Sequence, residues 1–299
     1  MNVRKKLREL LWKPGLTIMP GAYDALSARL IEAEGFEAVC AGGYAAIGSM
    51  LAQPDNGQSN MRDYADHYAR VCAAVELPVY VDADTGFGGV HNVRQMVRAF
   101  EAAGVAGLFI GDQTFPNRCG YLPGKQVVPA EQMIAKLKAA LDARRDGDLL
   151  IAARTDAAGV EGLNAAIERC QLYLEAGVDM AKPQGVDAIE DIKRVMREVR
   201  CPHMATISQA AGPNHRPLKE LDAIGVTAVT FPSIALFSAA YGVRGALRVL
   251  KRDNSLAGAG DHLLSLDDYY DLVGLKRQLA REEAYDKAAA AMVSKRAAE

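Results

Sequence analysis

Asp82 and Asp84 stand two residues apart in the segment Val79-Tyr-Val-Asp-Ala-Asp-Thr-Gly-Phe-Gly-Gly89. The residues before them are apolar and β-prone, so the segment reads as a buried strand. Side chains two apart on a strand share a face. Two carboxylates at the mouth of a buried strand repel each other and are costly to desolvate. A hard divalent cation removes both costs, and Mg²⁺ is held by one or two carboxylates together with waters and substrate oxygens. The same spacing also suits one helix-capping residue beside one solvated turn residue.

Other reactive side chains follow apolar runs or sit in a loop. Arg154 ends Leu149-Leu-Ile-Ala-Ala-Arg. A guanidinium there can clamp a carboxylate or phosphonate in a bidentate fork, or pair with Asp156 or Asp84. Cys119 lies between Arg118 and Gly120 in the long segment 112–129. A neighbouring cation favours thiolate, and a thiol can exchange protons near neutral pH. Long connections with glycine and proline often serve as lids. His91 follows the aspartate pair and suits either the site or a helix start. The five histidines form no ligand pattern.

The elements that must carry these residues alternate. Strand-like runs at 17–19, 38–41, 79–82, 107–110, 149–153, 178–181, 203–207 and 227–231 each precede a segment with helical spacing. Glu34-Gly35-Phe36, Ala103-Gly104-Val105, Ala176-Gly177-Val178 and Ile224-Gly225-Val226 share one pattern. A glycine closes the helix in the left-handed conformation and an apolar residue opens the next strand. Such alternation predicts a parallel sheet, and eight units predict a closed (β/α)8 TIM-type barrel over residues 1–250. No GxGxxG follows the first strand, which disfavours a doubly wound sheet. Residues 251–299 predict a C-terminal helical extension whose apolar residues, Tyr269 and Tyr270 among them, pack on this barrel or a neighbour's.

Active sites of such barrels lie at the C-terminal ends of the strands. The predicted strand ends carry Gly42, Gly43 and Tyr44; Asp82 and Asp84; Gly111, Asp112 and Gln113; Arg154 and Asp156; Lys182 and Gln184; and Thr206 and Ser208. Lys182 suits three roles: a second anion site, a Schiff-base amine, or an ion pair with Asp112 or Asp156.

Bulk properties narrow the class. The 299 residues are half apolar and carry a net charge of −2, with a pI near 6.2. There is no basic run, so neither nucleic acid nor a membrane surface is an expected partner. The N-terminus is short, basic and amphipathic, unlike a secretory signal. Five scattered cysteines without a CxxC pair suit a reducing cytoplasm.

Pro20-Gly-Ala-Tyr-Asp24, Val81-Asp-Ala-Asp-Thr-Gly86, Asp112-Gln113, Arg118-Cys-Gly120 and Ala153-Arg-Thr-Asp156 resemble the isocitrate lyase/phosphoenolpyruvate mutase superfamily. The nearest resemblance is to its small lyases and to carboxyphosphonoenolpyruvate mutase. The resemblance implies a barrel whose last helix is exchanged between subunits, in a homotetramer. It also implies Mg²⁺, with Mn²⁺ as a substitute, and chemistry through an enolate. By position, Asp82 resembles the direct metal ligand, while Asp84 and Asp55 would hold waters around the metal. Gly42, Gly43 and Tyr44 resemble the cradle of a pyruvyl carboxylate, Arg154 its clamp, and Cys119 the lyases' acid/base. The expected reaction is C–C cleavage of a small 2-hydroxy or 2-keto dicarboxylic acid. Oxaloacetate decarboxylation or hydrolysis, phosphonomutase chemistry, and α-keto-acid binding without turnover are the alternatives.

The chain also departs from the family pattern. Gly111, Gln184 and Gln209 stand where the family usually has glutamates, and Tyr121 where its loop usually has histidine. Lys182 is an added cation. Lys182 and Thr206 join the expected substrate-binding residues.

Overall fold

The computed structural model describes residues 2–120, 122–208 and 217–298. Its elements are α1 (Val3–Trp12), β1 (Thr17–Pro20), α2 (Ala25–Ala33), β2 (Val39–Ala41), α3 (Gly43–Leu51), α4 (Met61–Ala74), β3 (Val79–Asp82), α5 (Val90–Ala102), β4 (Gly107–Gly111), α6 (Ala130–Ala143), β5 (Leu150–Thr155), α7 (Leu163–Glu175), β6 (Met180–Pro183), α8 (Ile189–Glu198), β7 (Met204–Thr206), α9 (Leu218–Ala223), β8 (Ala228–Phe231), α10 (Ile234–Asp253), α11 (Leu266–Val273) and α12 (Leu275–Ala298).

All strand pairs are parallel, in the orders β2-β3-β4-β5-β6 and β1-β8-β7. A parallel bridge between Gly21 and Cys40 joins β1 to β2. At the opposite seam Lys182 of β6 donates to Thr206 Oγ1 of β7 at 2.7 Å. The fold is the expected α/β TIM-type barrel. Gly35, Gly104, Gly177 and Gly225 all take positive φ, the conformation their helix-closing position requires.

The barrel has two apolar layers. Phe100, Met133 and Tyr173 lie between strands and surrounding helices. Leu7, Leu10 and Leu11 of α1 recur at helical spacing and pack on Met19, Tyr80, Leu150, Met180 and Met204 inside the barrel. Arg4 and Arg8 fasten this plug to Asp146 and Asp179, each at 2.7 Å. The helix therefore seals the N-terminal mouth, and the C-terminal mouth is left for a ligand.

Some local expectations shift. The glycine-rich stretch that follows 38–41 suggests a turn from its sequence, whereas residues 43–51 form α3. Glycine is a poor helix former in isolation, yet here it permits close packing: a Cβ on Gly48 would lie 3.0 Å from Leu236 Cδ2. β6 spans Met180–Pro183 rather than 178–181, because the ladder pairs Ala152 with Met180 and Arg154 with Lys182. Lys182 is thus a strand residue beside Arg154.

The chain divides into two compact units, Met1–Ser238 and Ala239–Glu299. The first holds the eight strands. In the second, later turns of α10 meet the residues that follow them: a Cβ on Gly245 would lie 2.8 Å from His262 Cε1. Ser265 caps α11 by accepting from Asp268 N, and Gly274 ends it with φ of 76°. No helix among the described residues is long and apolar enough to cross a membrane.

Candidate active site

One cavity opens at the C-terminal ends of the strands. Its lining includes all ten expected site residues: Gly42, Gly43, Tyr44, Asp55, Asp82, Asp84, Cys119, Arg154, Lys182 and Thr206. The cavity volume is about 100 Å³. One water needs roughly 10–15 Å³ on that measure, so the cavity suits a small organic acid.

The carboxylates come together by a different route from the one the strand pattern implied. β3 ends at Asp82, and Asp84 lies beyond it with φ of 46°. Asp84 N donates to Asp82 Oδ1 at 2.8 Å, and Gly111 N to Asp84 O at 2.7 Å. The tight turn, not strand alternation, brings the second carboxylate back. A Cβ on Gly43 would lie 3.3 Å from Asp82 Oδ2 and 3.4 Å from Asp84 Oδ1, so both acids converge there.

The surroundings leave these acids short of positive charge. Burial raises the pKa of Asp82, partly opposed by Arg154. Burial and the charges of Asp82 and Asp55 push Asp84 well up. Burial and Asp82 push Asp55 up to about 6, and Asp55 Oδ1 is buried without a protein partner. Among the described residues no three His, Cys, Asp or Glu form a metal-ligand cluster. Mg²⁺ needs only one or two carboxylates with waters, so the repelling pair and the orphaned Asp55 oxygen fit such a cation.

Arg154 faces these acids but is already engaged. Its Nε donates to Asp156 Oδ2 at 2.9 Å and its Nη2 to Asp156 Oδ1 at 3.1 Å. The bidentate edge expected to clamp a ligand is therefore held by Asp156, and Nη1 is the corner that Asp156 does not use. Burial alone would lower the pKa of Arg154. Asp156 and Asp82 outweigh it and keep the guanidinium charged. Phe109 lies beneath it, 5.7 Å from ring centroid to Cζ.

The long loop folds over the mouth and is pinned at several points. Gln113 donates to Arg118 O and accepts from Arg118 N, at 2.9 and 3.0 Å. Asn117 donates to Asp84 Oδ1 at 3.0 Å. Lys125 Nζ donates to Gly120 O at 2.5 Å and to Asp156 Oδ1 at 2.9 Å. A Cβ on Gly120 would overlap Arg154 Nη2. Cys119 thus lines the cavity beside Arg154, on a loop locked to β5 through Asp156.

Residues 7–250 match the phosphoenolpyruvate phosphomutase family. The chain belongs to the phosphoenolpyruvate mutase/isocitrate lyase superfamily. It is 36% identical over 279 residues to 2,3-dimethylmalate lyase of Eubacterium barkeri, covering 93% of this chain and 96% of that one. It is 38% identical over 268 residues to 2-methylisocitrate lyase of Aeropyrum pernix, covering 90% and 86%. A phosphonopyruvate hydrolase structure with oxalate and Mg²⁺ superposes with a TM-score of 0.85 at 26% identity, covering 95% of this chain and 99% of that one. The chain is accordingly an enzyme of this lyase and mutase superfamily.

Three departures from the superfamily pattern, Gly111, Gln184 and Lys182, lie inside the cavity. Gly111 borders Asp84, and a Cβ there would start 3.3 Å from Asp84 O. Gln184 is buried under the loop, its Cγ 3.1 Å from where a Gly120 Cβ would stand. Tyr121 and Gln209, the other substituted positions, lie outside the described residues. Lys182 does not pair with Asp112 or Asp156. Asp112 accepts from Tyr173 Oη at 2.9 Å and pairs with Arg169, while Asp156 holds Arg154 and Lys125. Burial and Arg154 bring Lys182 down to about 8.

His91 does not enter the site: it is exposed on the first turn of α5. Sequence reasoning missed Asn117, Lys125, Thr230 and Tyr80. Thr230 was legible as a polar residue one before the end of the eighth strand. Tyr80, two before Asp82 on an inward-facing strand, was also legible. Asn117 and Lys125 gave no signal in a loop of unknown course.

Proposed function

We propose that this enzyme is a Mg²⁺-dependent C–C lyase acting on a small 2-hydroxy or 2-keto acid of the methylisocitrate/dimethylmalate type. The observation that carries this reading is the meeting of Asp82 and Asp84, Arg154, and the loop thiol of Cys119 in one cavity. The likeness to two lyases supports it, and the Mg²⁺ and oxalate of a structural neighbour support the cofactor.

Asp82 would bind the metal directly, with Asp84 and Asp55 holding waters around it. Bound there, Mg²⁺ supplies a Lewis acid that draws electron density from substrate oxygens. Gly42, Gly43 and Tyr44 open α3, whose first-turn N–H groups suit a carboxylate. Arg154 Nη1 would take the same carboxylate and neutralise its charge as the 2-hydroxyl carbon becomes a ketone. Cleavage leaves the electron pair of the broken C–C bond on the departing fragment while the 2-hydroxyl loses its proton on the carboxylate-lined side. Cys119 Sγ then protonates that carbon. The pinned loop excludes water meanwhile.

The test is a Mg²⁺-supplemented screen of 2-methylisocitrate, 2,3-dimethylmalate, oxaloacetate and phosphonopyruvate, with wild type beside Cys119→Ser. Cleavage of a methylisocitrate-type substrate that drops about 10²–10⁴-fold in the variant is expected. Phosphonate turnover indifferent to the change overturns the lyase. Pyruvate or oxalate binding without any turnover would mark a binding homologue instead.

We also infer a homotetramer in which a second copy covers residues 239–299. The exposed Leu264, Tyr285, Met292 and Val293 support it; light scattering that finds a monomer would exclude it. The described cysteines, none in a disulfide, support a cytoplasmic setting.

A further inference from the structure

Lys182 is 8% exposed and lines the cavity. It lies directly beside Arg154 in the β5–β6 ladder. Like charges at directly opposed strand positions repel, and Arg154 has Asp156 to balance it. Lys182 has no carboxylate in ion-pair range among the described residues. Its Nζ donates to Thr206 Oγ1 at 2.7 Å. Thr206 Oγ1 is 3.0 Å from Thr230 Oγ1, and Thr230 donates to Ala205 O at 3.4 Å. This chain of hydroxyls runs away from the ammonium and accounts for one of its three N–H donors.

The position within the barrel gives that unbalanced cation a use. Lys182 and Thr206 sit on β6 and β7, while the metal carboxylates sit on and after β3. In an eight-strand barrel Thr206 on β7 is four strands from β3, on the opposite wall, and Lys182 on β6 is three strands away. Tyr80, Phe109 and Met204 also line the cavity, so part of its wall is apolar. A substrate held by its reacting end at Asp82 on β3 would extend its other fragment toward the β6–β7 wall, where Lys182 stands next to Arg154.

We propose that Lys182, backed by Thr206 and Thr230, forms a second anion subsite that takes a carboxylate on the departing fragment. The enzyme then prefers a tricarboxylate over a dicarboxylate bearing only an alkyl group at that place. This deepens, and rests on, the lyase reading above. It makes Lys182 a specificity-determining residue.

The experiment compares wild type, Lys182→Met and Lys182→Gln on 2-methylisocitrate, with three carboxylates, and 2,3-dimethylmalate, with two. Wild type is expected to favour the tricarboxylate in kcat/KM by roughly tenfold or more, the scale of one charge-assisted hydrogen bond. Both variants should lose most of that preference, chiefly through KM for the tricarboxylate. A parallel calorimetric titration uses the corresponding fragments, succinate and propionate, with Mg²⁺ and pyruvate present. Succinate binding should weaken roughly tenfold in the variants, and propionate far less.

Equal losses for both substrates and both fragments, or a wild-type preference for the dicarboxylate, overturn the subsite. So does an adduct trapped on Lys182 by borohydride, which would show a Schiff-base amine. If neither substrate is cleaved but succinate binding depends on Lys182, the lyase reading fails and the subsite stands. Cleavage without preference has the opposite meaning. Circular dichroism confirms that either variant is folded before it is scored.

Discussion

Replacing Asp156 with asparagine tests how the cavity's cations are held. Asp156 is fully buried and accepts three hydrogen bonds from two cations, Arg154 and Lys125. Asparagine keeps the shape but removes the charge, so two largely buried cations lose their shared counter-ion. Breaking a buried pair in this way costs about 3–5 kcal/mol. Unfolding entropy near 2.1 cal/mol/K per residue over 299 residues converts this to a fall in Tm of roughly 5–8 °C.

The pH dependence has a defined sign. Burial alone would raise the pKa of Asp156, but Arg154 and Lys125 outweigh it and hold the carboxyl below its usual value. Its stabilisation is therefore complete above the unfolded value near ~3.9 and is lost as pH falls through the lower folded value. Scanning calorimetry of wild type and Asp156→Asn at equal concentration should show the full gap at pH 7 and a narrowing gap at increasingly acid pH. In a Lys125→Met background the same change should cost less, because one cation is already gone. A gap under about 2 °C at pH 7, or one that stays constant into acid, would refute the counter-ion argument.

Gly120→Ala forces a methyl group onto Arg154 Nη2. The loop or the guanidinium must move, and kcat/KM should fall by about 100-fold, as for an ångström-scale misplacement; steady-state assays read it directly. His203 is buried, and burial and then Lys182 push its pKa down to about 4. The unfolded chain takes the proton first, so stability should drop by up to about 3 kcal/mol as pH falls from ~6.5 to 4. His203→Gln should flatten that part of the denaturation profile. Mg²⁺ titrated into metal-free protein should release protons, increasingly as pH falls toward 6, because Asp84 and Asp55 are held toward their protonated forms. Calorimetry in buffers of different ionisation enthalpy measures this, and Asp82→Asn should weaken the binding; no heat at millimolar metal would count against the site.

Much of the architecture was legible because it depends on local rules. Alternating β and α patterns, closed by Gly35, Gly104, Gly177 and Gly225, require little beyond neighbouring residues to specify. The barrel then places strand ends together, so Asp82, Arg154, Lys182 and Thr206 were recognisable as one group. α3 was missed because its glycines are poor helix formers alone, and Gly48 becomes an advantage only where Leu236 packs against it.

What the sequence alone determined was the fold and the roster of reactive groups at one end of it, Asp82 and Asp84 foremost. The tertiary structure decided how those groups are spent. Asp84 returns to Asp82 through a left-handed turn rather than along a strand. Arg154 gives one edge to Asp156, and Lys125 reaches the same carboxylate from the loop. Lys182 finds a threonine from the next strand and no acid among the described residues. Each outcome depends on strand register, on a loop's course and on burial. A two-residue shift of β6 is enough to make Lys182 a strand residue beside Arg154, and desolvation by the whole barrel is what makes an unbalanced charge there consequential.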